Sequence, residues 1–429
     1  MSNSLIDDFL NLLQKSPTAW HTVDYIRNSL LEAGFTELDE AQEWKLEQSK
    51  AYFLTRDGSS LCAFITPAEN ITKAHIIASH TDSPGFKLKP NPEFRRENMT
   101  MLATEIYGSP LLTSWFNRDL GIAGRVFVSG SEESISQALI NVDDRPVTIP
   151  QLAIHLDRDA NEKGPTFNKH EHFSALAALD FDPQKSYLLM LLHDKIQIPF
   201  EYILSHDLFL YPLDKPQLMG ADMLSGYRLD NLSSVHAGLS ALKTSAPHKN
   251  HLNLAIFWNN EEIGSQTAHG AESPFLLNII ERILISFEFS REHFFRTLSQ
   301  SLCLSVDLAH AVNPNYVDKH DSRHMPILNK GPVIKYNAQQ RYASDAHSSA
   351  YIIHLCEKNH IPYQFFSSRN DIPCGSTIGP INASQTGIAT VDIGAPQLSM
   401  HSCRELMAVR DHVEMCRLLA AFLESRIGN

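Results

Sequence analysis

Glu261 and Glu262 stand side by side, directly after Asn259-Asn260 and the apolar run Leu252-Asn253-Leu254-Ala255-Ile256-Phe257-Trp258. Such a run, bounded by polar residues, reads as a buried strand. Two like charges at the end of a buried strand are costly unless something neutralises them or holds them apart. A metal ion does that: one Glu ligates it, and the other takes a proton from water that the ion has acidified. The placement recurs along the chain. Residues 74–79 form a second strand-like run that ends in His80-Thr81-Asp82, and Leu302–Val306 form a third that ends in Asp307. Residues 389–393 form a fourth, followed after a short loop by Met400-His401-Ser402. In open α/β sheets, ligands bind beyond the carboxyl ends of the strands, so four such ends can build one site.

Each piece alone has an ordinary reading. With 21 His in 429 residues, His-x-Asp arises by chance. Glu-Glu is commonly a solvated helix face. Asp307 reads as a helix N-cap, and so does Asp230 in Arg228-Leu229-Asp230-Asn231, ahead of the helical stretch 232–242. The joint pattern points the other way, because metal-capable side chains fall at consecutive strand ends and their number suits two ions.

Taken together, His80, Asp230, Glu261, Glu262, Asp307 and His401 follow the order His, Asp, Glu-Glu, Asp, His. That order resembles the co-catalytic zinc aminopeptidases. The surrounding blocks narrow the resemblance to the M18, or aspartyl aminopeptidase, family. They include Ser79-His80-Thr81-Asp82-Ser83-Pro84, Trp115-Phe116-Asn117-Arg118-Asp119-Leu120 and Asn260-Glu261-Glu262-Ile263-Gly264-Ser265. His310-Ala311-Val312-Asn313-Pro314-Asn315-Tyr316, Lys330-Gly331-Pro332-Val333-Ile334-Lys335 and Pro396-Gln397-Leu398-Ser399-Met400-His401-Ser402 are more specific, and the likeness runs nearly end to end.

The resemblance implies roles. Asp230 bridges two zinc ions, His80 and Asp307 complete one, and Glu262 and His401 complete the other. Glu261 is the general base, and Asp82 accepts the proton on the other imidazole nitrogen of His80. Lys335 meets the acidic side chain of the substrate. His155 reaches into the active site of a neighbouring subunit, and His310 and His324 belong to substrate-pocket segments. Co²⁺ or Mn²⁺ can replace zinc. The implied assembly is a homododecamer built from dimers. Two places depart from the family pattern: Asn117 stands where many relatives carry Asp, and Ser344-Asp345-Ala346-His347 is unusual after Gln340-Arg341-Tyr342.

Composition suits a soluble enzyme. At 43% hydrophobic and 20% charged, 429 residues can bury one large core or two. A net charge of −13 argues against nucleic acid or an anionic membrane as partner. It also means that an acidic substrate must be drawn in by local cations. The six Cys lack zinc-finger or CxxC spacing and read as reduced thiols. Residues 1–8 lack the basic region and apolar core of a signal peptide, so a cytoplasmic location is expected.

The elements that must position these residues follow from periodicity. Stretches 5–14 and 20–33 read as amphipathic helices split at Ser16-Pro17-Thr18. After Asp230, helices at 232–243, 274–287, 346–358 and 408–426 alternate with strands at 252–258 and 302–307. Between them the character changes to short β-like runs at 125–128, 147–149, 152–156, 187–192 and 208–211, with helical periods at 133–140 and 174–179. The expected fold is α/β: a mixed-sheet zinc-peptidase catalytic domain (1–91 and 227–429) with helices on both faces, plus an inserted β-rich dimerisation domain (92–226). The expected function is a metallo-aminopeptidase that takes acidic residues from peptide N-termini. A self-assembling cargo protein without activity and another two-metal hydrolase, a deacylase or carboxypeptidase, are the alternatives.

Overall fold

The computed structural model describes residues 2–130 and 134–426. The fold is mixed α/β, and the chain divides into two units. The first comprises Met1–Asp82, Pro216–Met400 and Glu405–Asn429; the second comprises Ser83–Lys215 and His401–Arg404.

The first unit is organised around a nine-stranded sheet. At its centre four strands run side by side and parallel: His251–Trp258, Lys73–His80, Leu302–Val306 and Ala389–Gly394. Parallel pairing aligns their carboxyl ends, and Trp258 lies opposite His80 in register. These are the strand-like runs expected from the sequence. Their residues alternate between two cores, as a period of two requires. Ile77, Ala255, Phe257, Leu304 and Val391 enter one cluster, with the helices Ser2–Lys15, Leu229–Thr244 and Val409–Glu424. Ile76, Ala78, Leu254, Ile256 and Cys303 enter the other, with Phe275–Ser286 and Arg291–Gln300. Helices therefore cover both faces, and full burial on both sides explains why these strands read as continuous apolar runs.

The second unit carries a six-stranded antiparallel sheet. Four local readings of the sequence fail here. Residues 187–192 belong to a helix, Tyr187–Ile196, whose Ser186 N-cap accepts from the backbone N–H of Leu189. Its Leu and Met residues are good helix formers with no branch at Cβ, and the serine ahead of them was the signal. Stretch 174–179 is the strand Ala175–Leu179, paired with Met99–Tyr107. Of stretch 133–140, Glu133 lies outside the described residues, and residues 135–140 fall in the strand Ile135–Val147, paired with Leu120–Ser129. In both, cross-strand pairing overrides local helix propensity. Residues 152–156 form no strand; Leu152, Ile154 and Leu156 alternate as a strand would, but all three are exposed and unpaired with any strand.

Candidate metal centre

His80 ends its strand at 1% exposure, and the Asp82 backbone sets the direction of its ring. The carbonyl of Asp82 lies 3.1 Å from Nδ1. A carbonyl only accepts, so Nδ1 carries a proton and Nε2 is left facing the other way. Nε2 faces Asp230 Oδ1 at 3.5 Å, Asp307 Oδ1 at 3.6 Å and Glu261 Oε2 at 4.0 Å.

Each of those carboxylates is brought in by its own element. Asp307 follows the strand Leu302–Val306, and its backbone N–H donates to Ile393 O of the adjacent strand at 2.9 Å. Asp230 lies at the start of the helix Leu229–Thr244, where its own φ/ψ are not helical and its backbone N–H donates to Glu405 Oε2 at 3.0 Å. The Asn231 amide donates to Val306 O at 2.9 Å, which ties that helix start to the strand end carrying Asp307. Glu261 and Glu262 sit in a single 3₁₀ turn, entered through Asn260 at φ 64° and left through Gly264 at φ 98°. Both ends of that turn are left-handed, a conformation that Asn and Gly adopt most readily.

Asp82 is what holds that turn. Its Oδ1 accepts the backbone N–H of Glu261 and its Oδ2 that of Glu262, each at 3.1 Å, while Oδ1 lies 3.4 Å from His80 Nδ1. One side chain thus positions both His80 and the carboxylate pair. Arg228, to which the sequence pattern assigned no role, does comparable work. Its buried guanidinium donates to Thr81 O, between His80 and Asp82, to Ser16 O, and to Thr22 Oγ1 at 3.2 Å. An Arg two residues before a candidate ligand was the available signal.

Five carboxylates, from Asp82, Asp230, Glu261, Glu262 and Asp307, therefore surround one imidazole, and among the described residues the cations nearby include Lys335, beside Asp307, and Arg228, on Thr81 O. Burial, followed by the negative charges of Asp307, Asp82 and Asp230 and offset by His80, pushes Glu261 up to about 8. Burial and the charge of Glu261 hold Glu262 well above the usual carboxylate range. Burial disfavours charge on His80, but its hydrogen bonds to Asp230, Asp307 and Asp82 win and raise it well above an ordinary imidazole. Protons stand in for missing positive charge. Hard oxygen donors with one imidazole, in surplus negative charge, fit zinc and similar divalent ions. Two overlapping groups have donor atoms within 4.8 Å of one another: His80, Asp230 and Glu262, and His80, Glu261 and Asp307.

The other singled-out residues are spread more widely. Lys335 is buried, with Nζ 3.1 Å from Leu308 O and 3.6 Å from Asp307 Oδ2. His310 lines a cavity of about 300 Å³ together with Phe366, Arg369, Cys374 and Gln397. His324 is exposed and bonds Asp321 Oδ1 at 2.8 Å. His401 falls with the second unit, where its Nδ1 lies 3.0 Å from Ser109 O, and His155 is exposed in a turn of that unit. The unusual Asp345 caps the helix Ala346–Lys358 in a capping box with Ser348, and Asn117 accepts the backbone N–H of Gln151 at 3.0 Å.

Gly394 offers a test of this geometry. A Cβ there would lie 1.8 Å from Asp307 O, so Gly394→Ala must displace the Asp307 backbone. We expect divalent-metal affinity to fall by ~10–100-fold, as when groups that orient a ligand are lost. Unchanged metal affinity, measured by titration against a competing chelator, would contradict it.

A family model described as aminopeptidase I zinc metalloprotease (M18) matches residues 12–423. The probable M18 family aminopeptidase 2 of Clostridium acetobutylicum is 43% identical over 412 residues, covering 94% of this chain and 95% of its own. That of Stutzerimonas stutzeri is 38% identical, with 99% of both chains covered. Among solved structures, the cryo-EM complex of Ape4 and Nbr1 has a chain 34% identical with a TM-score of 0.94, covering 98% of this chain and 86% of that one. The Saccharomyces cerevisiae mApe1 dodecamer is 26% identical with a TM-score of 0.85, covering 97% of this chain and 95% of that one.

Proposed function

This chain belongs to the M18 family of aminopeptidase I zinc metalloproteases, and from that premise we propose that it removes N-terminal Asp or Glu from peptides at a two-zinc centre with Glu261 as general base. That it is an aminopeptidase, a hydrolase of peptide bonds, follows from the family and its named relatives. The observation that carries the finer reading is the pair of overlapping donor groups that share His80 amid surplus buried carboxylate.

His80, Asp230, Glu262, Asp307 and His401 would hold the ions. Bound zinc supplies Lewis acidity, which polarises a peptide carbonyl and acidifies water. As the water oxygen bonds to the carbonyl carbon, Glu261 takes its proton and passes it to the departing amine when the C–N bond breaks. Asp82 keeps Glu261 in place through the backbone and keeps the His80 proton on Nδ1, away from the ions. His310 and His324 contribute to the substrate pocket.

The deciding experiment is a panel of peptides assayed with and without added Zn²⁺. Peptides with a free N-terminal Asp or Glu should be cut one residue at a time from the amino end. Equal rates on N-acetylated peptides would sink the exopeptidase reading, and release from the carboxyl end would make the enzyme a carboxypeptidase.

The acidic preference is assigned to Lys335, a buried cation beside Asp307 in a protein of net charge −13. Losing a charge-assisted hydrogen bond costs ~1.5–3 kcal/mol. Lys335→Met should therefore lower kcat/KM for Asp- and Glu-initiated peptides by ~10–150-fold more than for Ala- or Leu-initiated ones. Equal losses on all four would mean that Lys335 acts through Asp307 and does not read the side chain.

For assembly, the reading is a homododecamer built from dimers, with residues 92–226 supplying much of the dimer contact and His155 entering a neighbour's active site. The exposure of Leu152, Ile154 and Leu156 around His155, at 59%, 44% and 74%, supports a partner there. Among the described residues no helix is long and apolar enough to cross a membrane. A cytoplasmic location is part of the proposal.

A further inference from the structure

Away from the His80 centre, a second set of metal-capable side chains is buried between helices. His412 and Cys416 sit one turn apart on the helix Val409–Glu424, so they share a face, as residues i and i+4 must. His236 reaches them from the helix Leu229–Thr244. His236 Nδ1 lies 2.9 Å from His412 Nε2, and Cys416 Sγ lies 3.7 Å from the same nitrogen. All three donor atoms lie within 4.8 Å of one another, and all three residues are buried.

The surroundings favour an ion. His236 Nε2 lies 3.3 Å from Asp8 Oδ2 on the helix Ser2–Lys15. A carboxylate only accepts, so the proton sits on Nε2 and the Nδ1 lone pair is turned inward onto the cluster. An imidazole whose far nitrogen is held by a carboxylate is the arrangement found around metal-bound histidines. Asp8 is itself held by the Tyr25 hydroxyl, which donates to Oδ1 at 2.8 Å. The ring of Phe9 stacks on His412 at 4.2 Å and closes one side.

We propose that His236, His412 and Cys416 form a further metal site for a single soft or borderline transition-metal ion, of which Zn²⁺ is the natural member. One thiolate with two imidazoles selects such ions over Mg²⁺ or Ca²⁺. The competing arrangement is a plain hydrogen bond, with His412 Nε2–H donating to His236 Nδ1. Loading exchanges that bond for two nitrogen donors and one sulfur donor. The Cys416 thiol proton leaves to solvent, and the His412 proton moves to Nδ1, which has no partner among the described residues. One unpaired N–H is a small cost beside the free energy of a structural metal site. The bound ion would staple the helix that begins at Leu229 to the carboxyl-terminal helix.

Cobalt tests this independently of the reading of the His80 centre, because among the described residues the donors grouped around His80 include no thiol. The metal-free full-length protein is loaded with excess Co²⁺, and the near-ultraviolet thiolate-to-cobalt charge-transfer band is recorded. We expect the band in the wild type. In Cys416→Ser we expect it to vanish, with cobalt content down by about one equivalent per chain and peptide turnover retained. Absence of the band in the wild type overturns the proposal, and so does its persistence in Cys416→Ser. Should that variant fail to fold, X-ray absorption of the wild-type cobalt protein decides: a sulfur scatterer supports the site, and a purely nitrogen and oxygen shell overturns it.

Discussion

Glu261→Gln is expected to lower kcat by ~10²–10⁴-fold, the usual worth of general-base catalysis, with metal content unchanged. The substitution keeps the shape of the side chain and the backbone N–H that donates to Asp82 Oδ1, so the turn carrying Glu262 should stand. What it removes is a carboxylate poised to accept a proton. In the absence of bound cations, burial and three neighbouring carboxylates push Glu261 up to about 8. The measurement pairs kinetics with metal analysis on the same sample. If metal content falls along with kcat, Glu261 is a ligand and the roles of the adjacent pair are reversed. That outcome is sharp because Glu261 Oε2 lies 4.0 Å from His80 Nε2, within one of the two donor groups.

Removing the metal should abolish activity, and Zn²⁺, Co²⁺ or Mn²⁺ should restore it. The stripped protein should also acquire a pH-dependent stability that the loaded protein lacks. Glu261 has an ordinary pKa of 4.5 and is pushed up to about 8, so the folded metal-free state holds a proton that the unfolded chain has released. Glu262 and His80 are raised as well. All three shifts have the same sign: the folded state binds more protons, so its stability falls as pH rises. For Glu261 the loss runs from about 4.5 to about 8. Thermal melts of stripped and zinc-loaded protein across that range should diverge as pH rises. Turnover undiminished after complete stripping would remove the mechanism, and parallel melting curves would remove the electrostatic account of the centre.

Much of the fold was legible because periodicity is a local property. The helices at Ser2–Lys15, Ala19–Glu32, Ala346–Lys358 and Val409–Glu424 lie close to where apolar spacing put them, and the four central strands lie where apolar runs stood. Those strands are buried on both faces, so a continuous apolar run was a faithful signal. The second unit was read less well. The Ala-rich strand Ala175–Leu179 and the Leu-rich helix Tyr187–Ile196 exchange their apparent propensities, because pairing with Met99–Tyr107 decides the first and the Ser186 cap the second.

The sequence by itself determined which side chains could meet at the centre. His80 ends a strand of one parallel run, Glu261, Glu262 and Asp307 follow others, and parallel strands present their carboxyl ends together. What only the tertiary structure decided is how charge is distributed there. The family resemblance assigns Lys335 to the substrate, but its burial and its position 3.6 Å from Asp307 are set by the fold. Asp82 stands two residues after His80, so its partnership with the imidazole was foreseeable. Its grip on the backbone of Glu261 and Glu262, 179 and 180 residues away, was not. Neither was the reach of Arg228 to Thr81 O and Ser16 O. Such long-range hydrogen bonds leave no periodic trace in the chain. They arise because a buried polar group must find a partner, and only the packed fold determines which one is within reach.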